Sequence, residues 1–229
     1  MLLAIDTSSL VLSCALAEKD RLVAEWTVQK RLTHSEQLIP HLDEMMKEAG
    51  VEKKQITGIA VSIGPGSFTG LRIGLATAKM ASYIWKVPVV GVDTLEALAW
   101  NMAGAQAFIL PLMDAQRGNV YAALYGAFQD MWQEAPAEVA SIDEVIAAAV
   151  KHGGPVIALG ECADMYKEKL QAAGIAVAPP QNRCCRAGSV ALAGIAKLEK
   201  GEADDPLKLL PNYIRRSEAE VLWEKQHKS

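Results

Sequence analysis

The chain opens with apolar runs too short for helices. Leu2-Leu3-Ala4-Ile5 ends at Asp6-Thr7-Ser8-Ser9, and two further runs, 12–17 and 22–28, flank a turn at Lys19-Asp20. Short apolar or alternating runs bounded by turn residues predict strands, so the start reads as a β-meander. The period then changes. Leu38, Ile39, Leu42, Met45, Met46 and Ala49 fall on one face of a helix capped by Ser35 and stopped by Gly50. Residues 58–63 read as a buried strand, 69–85 as a second helix and 89–92 as a strand opened by Pro88. Asp93 with Glu96 gives a capping-box start to a helix through Met102. The order is βββαβαβα.

The same order recurs more faintly. Strands are expected at 108–113, 119–125 and 138–140, then a helix capped by Ser141 and Glu144 to about Val150. A strand at 156–159, a helix over 163–173, a strand at 175–177 and a helix over 188–200 complete the copy. The expected division is one lobe over 1–103, a second over 104–216 and a polar tail at 217–229, with the short linker Ala103–Gln106 keeping the lobes in contact.

The 69–85 helix is the most informative element. Gly70, Gly74, Ala78 and Ser82 are spaced by four and form one stripe of small residues, flanked by Leu71, Ala81 and Trp85. Ile73, Thr77, Met80 and Ile84 make a second apolar strip, which leaves Arg72, Lys79, Tyr83 and Lys86 as a polar edge. The apolar arc exceeds roughly 200°, about twice what a one-sided helix needs. Burial on two sides follows: one strip against a sheet, the other against a helix of the same chain or of a partner. Gly64-Pro65-Gly66-Ser67-Phe68-Thr69-Gly70 precedes it, matching neither GxxxxGK[ST] nor GxGxxG. The loop serves either as a sharp turn or as an anion's approach to a helix start.

Composition narrows the classes. Of 229 residues 51% are apolar and 22% charged, and the net charge of −4 argues against a stand-alone nucleic-acid binder. Cys14, Cys162, Cys184 and Cys185 contain no CxxC, so neither a zinc site nor a disulfide framework is expected and a reducing cytoplasm fits. Asp6 interrupts the first apolar run too early for a signal peptide, and no run approaches the ~20 residues of a membrane span. His34 and His41 lie seven apart, about 10 Å along a helix, too far to share a metal. Ser67 sits one residue off a GxSxG elbow, and Cys184-Cys185 between Arg183 and Arg186 could hold a lowered thiol pKa. No catalytic residue, metal or cofactor is assigned.

Several strings together carry a resemblance. Asp6-Thr7-Ser8, His34-Ser35-Glu36, the Gly64–Gly74 run, Gly91-Val92-Asp93-Thr94-Leu95, Asp114-Ala115 before Val120-Tyr121, and Pro211-Asn212-Tyr213-Ile214-Arg215 resemble the TsaB (YeaZ) family of bacterial tRNA threonylcarbamoyladenosine biosynthesis proteins. Gln116 stands where that family usually has a second basic residue. The resemblance implies the two-lobed actin-like ATPase (ribonuclease H-like) α/β fold of actin, Hsp70 and sugar kinases, with a degenerate second lobe. It implies a non-catalytic scaffold for the machinery that attaches threonylcarbamoyl to adenosine 37 of tRNA. The partners would be the catalytic TsaD and the ATPase TsaE, with a homodimer when alone and tRNA met only through the complex.

On that resemblance the partner surface is expected at Leu38, Leu42 and Met45 of the first helix and at Gly70, Leu71, Gly74, Ala78, Ser82 and Trp85 of the second. Trp at Gly74 or Ala78 would then abolish the complex and leave a folded monomer. Asp6, Thr7 and Ser8 would be the remnant of a nucleotide site. An ATP-using relative needs two phosphate hairpins and a glycine-rich adenosine turn. Here the first hairpin lacks glycine, side chains fill most of Asp114–Gly118, and only Gly160, followed by Glu161, marks the third. The alternative is an atypical ATP-dependent small-molecule kinase, with micromolar Mg·ATP affinity lost on Asp6→Ala. Arg72, Lys79 and Lys86 are candidates for touching tRNA.

Overall fold

A computed structural model of the protein describes residues 1–30 and 33–214. Its first sheet contains β1 (Leu2–Asp6), β2 (Val11–Glu18), β3 (Arg21–Gln29), β4 (Gly58–Gly64) and β5 (Val89–Asp93), in the order β3-β2-β1-β4-β5. β1, β2 and β3 are antiparallel neighbours, while β1, β4 and β5 run parallel. Parallel neighbours need crossovers, and α1 (His34–Glu48) and α2 (Phe68–Trp85) supply them. The second sheet contains β6 (Ala107–Asp114), β7 (Asn119–Ala127), β8 (Met131–Ser141), β9 (Val156–Leu159) and β10 (Ala176–Val177), in the order β10-β9-β6-β7-β8. Read from the other edge, it repeats the first sheet strand for strand.

Local chemistry accounts for most boundaries. Ser141 and Glu144 cap α4 (Ile142–Lys151) reciprocally, a true capping box. Asp93 caps α3 (Thr94–Trp100) by accepting from the amides of Leu95 and Glu96, whereas the Glu96 carboxylate pairs with Lys197 at 2.9 Å. α1 begins one residue before Ser35, after Thr33 and without a side-chain cap. β8 is far longer than residues 138–140 suggested, because this edge strand alternates polar outward positions and never forms an apolar run. The expected 163–173 helix is two, α5 (Glu161–Met165) and α6 (Lys167–Ala172), broken at Tyr166.

The packing departs from the division at residue 103. α1 and α2 cover one face of the first sheet, and α7 (Ala187–Glu199), from the second half of the chain, covers the other. Small residues make this possible: a Cβ on Gly194 would collide with Ala60 at 2.5 Å. α3 crosses the opposite way, setting Leu95, Leu98 and Ala99 among Ile109, Met113, Tyr125 and Leu159 of the second sheet. Each half thus carries a helix that packs on the other half's side.

After α7 the chain returns to the first sheet as a strap. Asp204 bridges to Val89 and its carboxylate accepts from Gly91 N at 2.8 Å. Leu209 is buried in the first core, and Asn212 N donates to Ile63 O at 2.7 Å. The expected tail at 217–229, with Arg215 and His227, lies outside the described residues. Among those described, no helix is long and apolar enough to cross a membrane.

Candidate functional site

A cleft of about 970 Å³ separates the two halves, with Ser9, Leu10 and Phe68 on one wall and Asp114, Gln116 and Glu161 on the other. Its first wall is the turn after β1. Asp6 is fully buried, and its Oδ1 accepts from Ser8 N at 2.9 Å and Ser8 Oγ at 2.7 Å. Burial pushes the Asp6 carboxyl up, against the Ser8 hydrogen bonds that favour its charge. Thr7 Oγ1 donates to Gly70 O at 2.8 Å, and Ser67 N donates to Ser8 O at 2.6 Å. Of the three remnant residues only Ser8 borders the cleft, while Asp6 and Thr7 face inward to hold the turn and α2. At the tip, where a phosphate would need bare backbone, Leu10 stands 56% exposed.

The second wall is no better suited to an anion. Gln116, Arg117 and Gly118 all adopt left-handed backbone, and Gln116 N donates to Asp114 Oδ1 at 2.7 Å. Glu161 Oε1 accepts from Asp114 N at 3.1 Å, so a carboxylate of the chain itself takes a hairpin amide and brings negative charge to the cleft. Gly160 has a packing explanation: a Cβ there would clash with Leu112 O of β6. Its φ of +99° also suits glycine.

The small stripe of α2 faces the chain's own sheet, which corrects the expectation that it meets a partner. A Cβ on Gly70 would run into the Thr7 carbonyl oxygen, and one on Gly74 into Thr7 Oγ1. Leu71, Ala78 and Ser82 are buried beside them, and Trp85 is half-buried against the same core. Leu38, Leu42 and Met45 of α1 likewise belong to the first core, with Met45 Sδ 3.7 Å from Cys14 Sγ. What α2 turns outward is the far end of the other strip, Met80 58% and Ile84 63% exposed, joined by Tyr83 of the polar edge at 70%, while Ile73 is half-buried against the core. On α1, His41 stacks on Trp26 of β3 at 3.7 Å and marks the flank away from α2. Ile39 is two positions away, about 200° round the helix, which sets this exposed side chain on the flank toward α2.

Known proteins share this architecture and much of this sequence. A family model described as "TsaD: tRNA N6-adenosine threonylcarbamoyltransferase" matches residues 28–223. The tRNA threonylcarbamoyladenosine biosynthesis protein TsaB of Bacillus subtilis (strain 168) is 30% identical over 228 residues, covering 97% of each chain. The chain belongs to the TsaB family. The TsaB of Escherichia coli (strain K12) is 34% identical over 127 residues, 54% of each chain. The solved structure of YeaZ from Pseudomonas aeruginosa superposes with a TM-score of 0.78 at 26% identity, covering 93% of this chain and 98% of that one. The ROK hexokinase of Thermus thermophilus, at 13% identity and TM-score 0.53 over 87% of this chain and 99% of its own, shares the fold. The two-lobed actin-like fold expected from the resemblance is therefore the fold observed.

Other features of this TsaB-family chain fall into place. Arg72 Nε donates to Tyr213 OH at 3.0 Å and its guanidinium lies 3.8 Å over the Phe68 ring, while Lys79 Nζ donates to Leu209 O at 3.0 Å. Two of the three residues considered for tRNA thus fasten the strap, and Pro211-Asn212-Tyr213-Ile214 is its end at the mouth of the cleft. His34 Nε2 lies 3.0 Å from Ser9 O, tying α1 to the first turn. Among the described residues no three His, Cys, Asp or Glu side chains gather as a metal site. The lowered thiol pKa considered for Cys184-Cys185 is corrected, since burial pushes both thiols up and Cys185 well above its usual range. The outer strip of α2 was visible in the sequence as an apolar face; which of the two strips faced outward was not.

Proposed function

We propose that this protein takes part in forming threonylcarbamoyladenosine in tRNA as a subunit without chemistry of its own. It binds the catalytic subunit TsaD through the outer strip of α2, with Ile39 of α1 at its edge, and TsaE joins the pair. Alone, the chain covers the same strip in a homodimer, and it meets tRNA only inside the complex. The observation that carries this reading is a cluster of large apolar side chains on one well-packed helix, Met80, Tyr83 and Ile84, left facing water. Single exposed apolar residues are ordinary; a contiguous cluster on an ordered helix marks a docking face. The name borne by the relatives supplies the pathway, and the cleft supports a non-catalytic role through Leu10 at the first turn and Glu161 on the second.

The kinase reading draws support from the shared fold alone, and the same cleft features weigh against it. A binding experiment separates the two. Titration of purified TsaD with the wild-type protein and with Met80→Asp should show binding only for the former, with the variant's thermal midpoint unchanged. Equal affinity for both would sink the docking reading.

A further inference from the structure

The outer strip of α2 supplies part of an interface. A stable protein–protein contact removes about 800 Å² from each partner, of which Ile39, Met80, Tyr83 and Ile84 offer on the order of 500 Å². The rest must come from surface continuous with them. The strap, tied to α2 through Lys79 and the Leu209 carbonyl, carries two further exposed large apolar side chains: Leu207 at 79% and Leu210 at 70%.

Their exposure is a consequence of how the strap is fastened. Leu209 is buried against Gly91 of β5, and its carbonyl accepts from Lys79 of α2. Leu209 N and Lys208 N both donate to Asp205 O, closing a turn that carries Leu207 on its outer side. With Leu209 inward, Leu207 and Leu210 are left exposed on either side of it. Pro206 closes a groove of about 600 Å³ whose other wall is the end of α2, Ser82, Tyr83 and Ile84, and the residues just after it, Lys86, Val87 and Pro88. The groove is continuous with the docking strip because Tyr83 and Ile84 belong to both. Strands and turns that serve only as connections gain nothing from exposed leucines, which cost solubility.

We infer that the docking surface for the transferase subunit extends past α2 onto the strap, with Leu207, Leu210 and the Pro206–Ile84 groove receiving an apolar helix of that same partner. This rests on the reading of α2 given above. Lys86 at the groove's rim favours a partner helix with an acidic edge. The strap would then do two things at once: hold the cleft mouth through Tyr213 and widen the contact made by α2.

Isothermal titration of purified TsaD against three full-length forms tests it: wild type, Met80→Asp, and Leu207→Asp with Leu210→Asp. Because both leucines are exposed, the double variant should keep its thermal midpoint. It should bind TsaD at least about tenfold more weakly, the loss expected when central contacts are removed. Binding within twofold of wild type, while Met80→Asp abolishes it, would overturn the strap's role and leave the α2 reading standing. Wild-type binding by both variants would overturn both. Loss of self-association in sedimentation with TsaD affinity unchanged would mean that the groove receives a second copy of this chain, which also overturns the inference.

Discussion

Around the interlobe cleft, several polar groups that could hold a ligand serve the chain instead. Ser8 donates to Asp6, Thr7 to Gly70, and the Asp114 amide to Glu161. On the outer face of α2 the opposite holds, since Met80, Tyr83 and Ile84 are large, apolar and exposed on a helix whose inner face is packed onto β1 and β4. Both regions belong to one fold. Here the turn after β1 is held by the chain's own hydrogen bonds, and a helix that covers a sheet carries surplus apolar surface. Function follows from which groups lack an internal partner, more than from the fold they share.

The comparison can be broken most forcefully from inside α2. Ala78→Trp forces an indole into a fully buried site, and Gly70→Ala drives a methyl into the Thr7 carbonyl. Overpacking of this kind costs about 3 kcal/mol or more, so Gly70→Ala should lower the thermal midpoint by roughly 10 °C, and the larger Ala78→Trp should fail to fold stably. The folded monomer expected of Trp at Ala78 or Gly74 is thereby withdrawn, because those positions face the sheet. A folded Ala78→Trp with normal circular dichroism would show that the inner face is looser than described. Met80→Asp on the outer face should leave stability within about 0.5 kcal/mol while weakening TsaD binding roughly 30-fold or more, read by titration calorimetry.

Smaller effects sharpen the cleft's side of the contrast. Mg·ATP at millimolar concentration should give no calorimetric heat; a micromolar isotherm that Asp6→Ala removes would restore the kinase reading. Asp6 also makes a pH prediction. Its folded pKa lies above the ordinary 3.8 because burial disfavours the charge. The folded state therefore holds its proton more tightly than the unfolded chain. That contribution to stability is complete below pH 3.8 and is lost as pH rises through the raised folded pKa. Asp6→Asn cannot titrate, so its thermal midpoint should decline less than the wild type's over that range. Parallel curves would mean that Asp6 is not a buried acid.

Much of this was readable in residues alone. The two βββαβαβα copies followed from period changes, and the Ser141–Glu144 cap was found where the spacing put it. The remainder needed contacts distant in sequence. Over an apolar arc of roughly 200°, periodicity gives no reason to prefer one strip of α2 as the inner one. The decision came from Thr7, which demands glycine at 70 and 74 from more than sixty residues away. Leu38 and Met45 were visible as an apolar face, but the strand beneath them, with Cys14, was not known to lie there. The strap has no period to read. Its leucines acquire meaning only because Lys79 and Gly91 fix Leu209 inward. The exchange of α3 and α7 between halves is likewise invisible to any cut made along the chain.

The most direct measurement is reconstituted tRNA modification. TsaD, TsaE and the threonylcarbamoyl-AMP synthase would be mixed with tRNA, threonine, bicarbonate and ATP, and this protein added as wild type, as Glu161→Ala or as Met80→Asp. Product should depend on the protein, persist with the cleft variant Glu161→Ala, and vanish with Met80→Asp. Full product with Met80→Asp, or without the protein at all, would contradict a subunit that works through the outer face of α2.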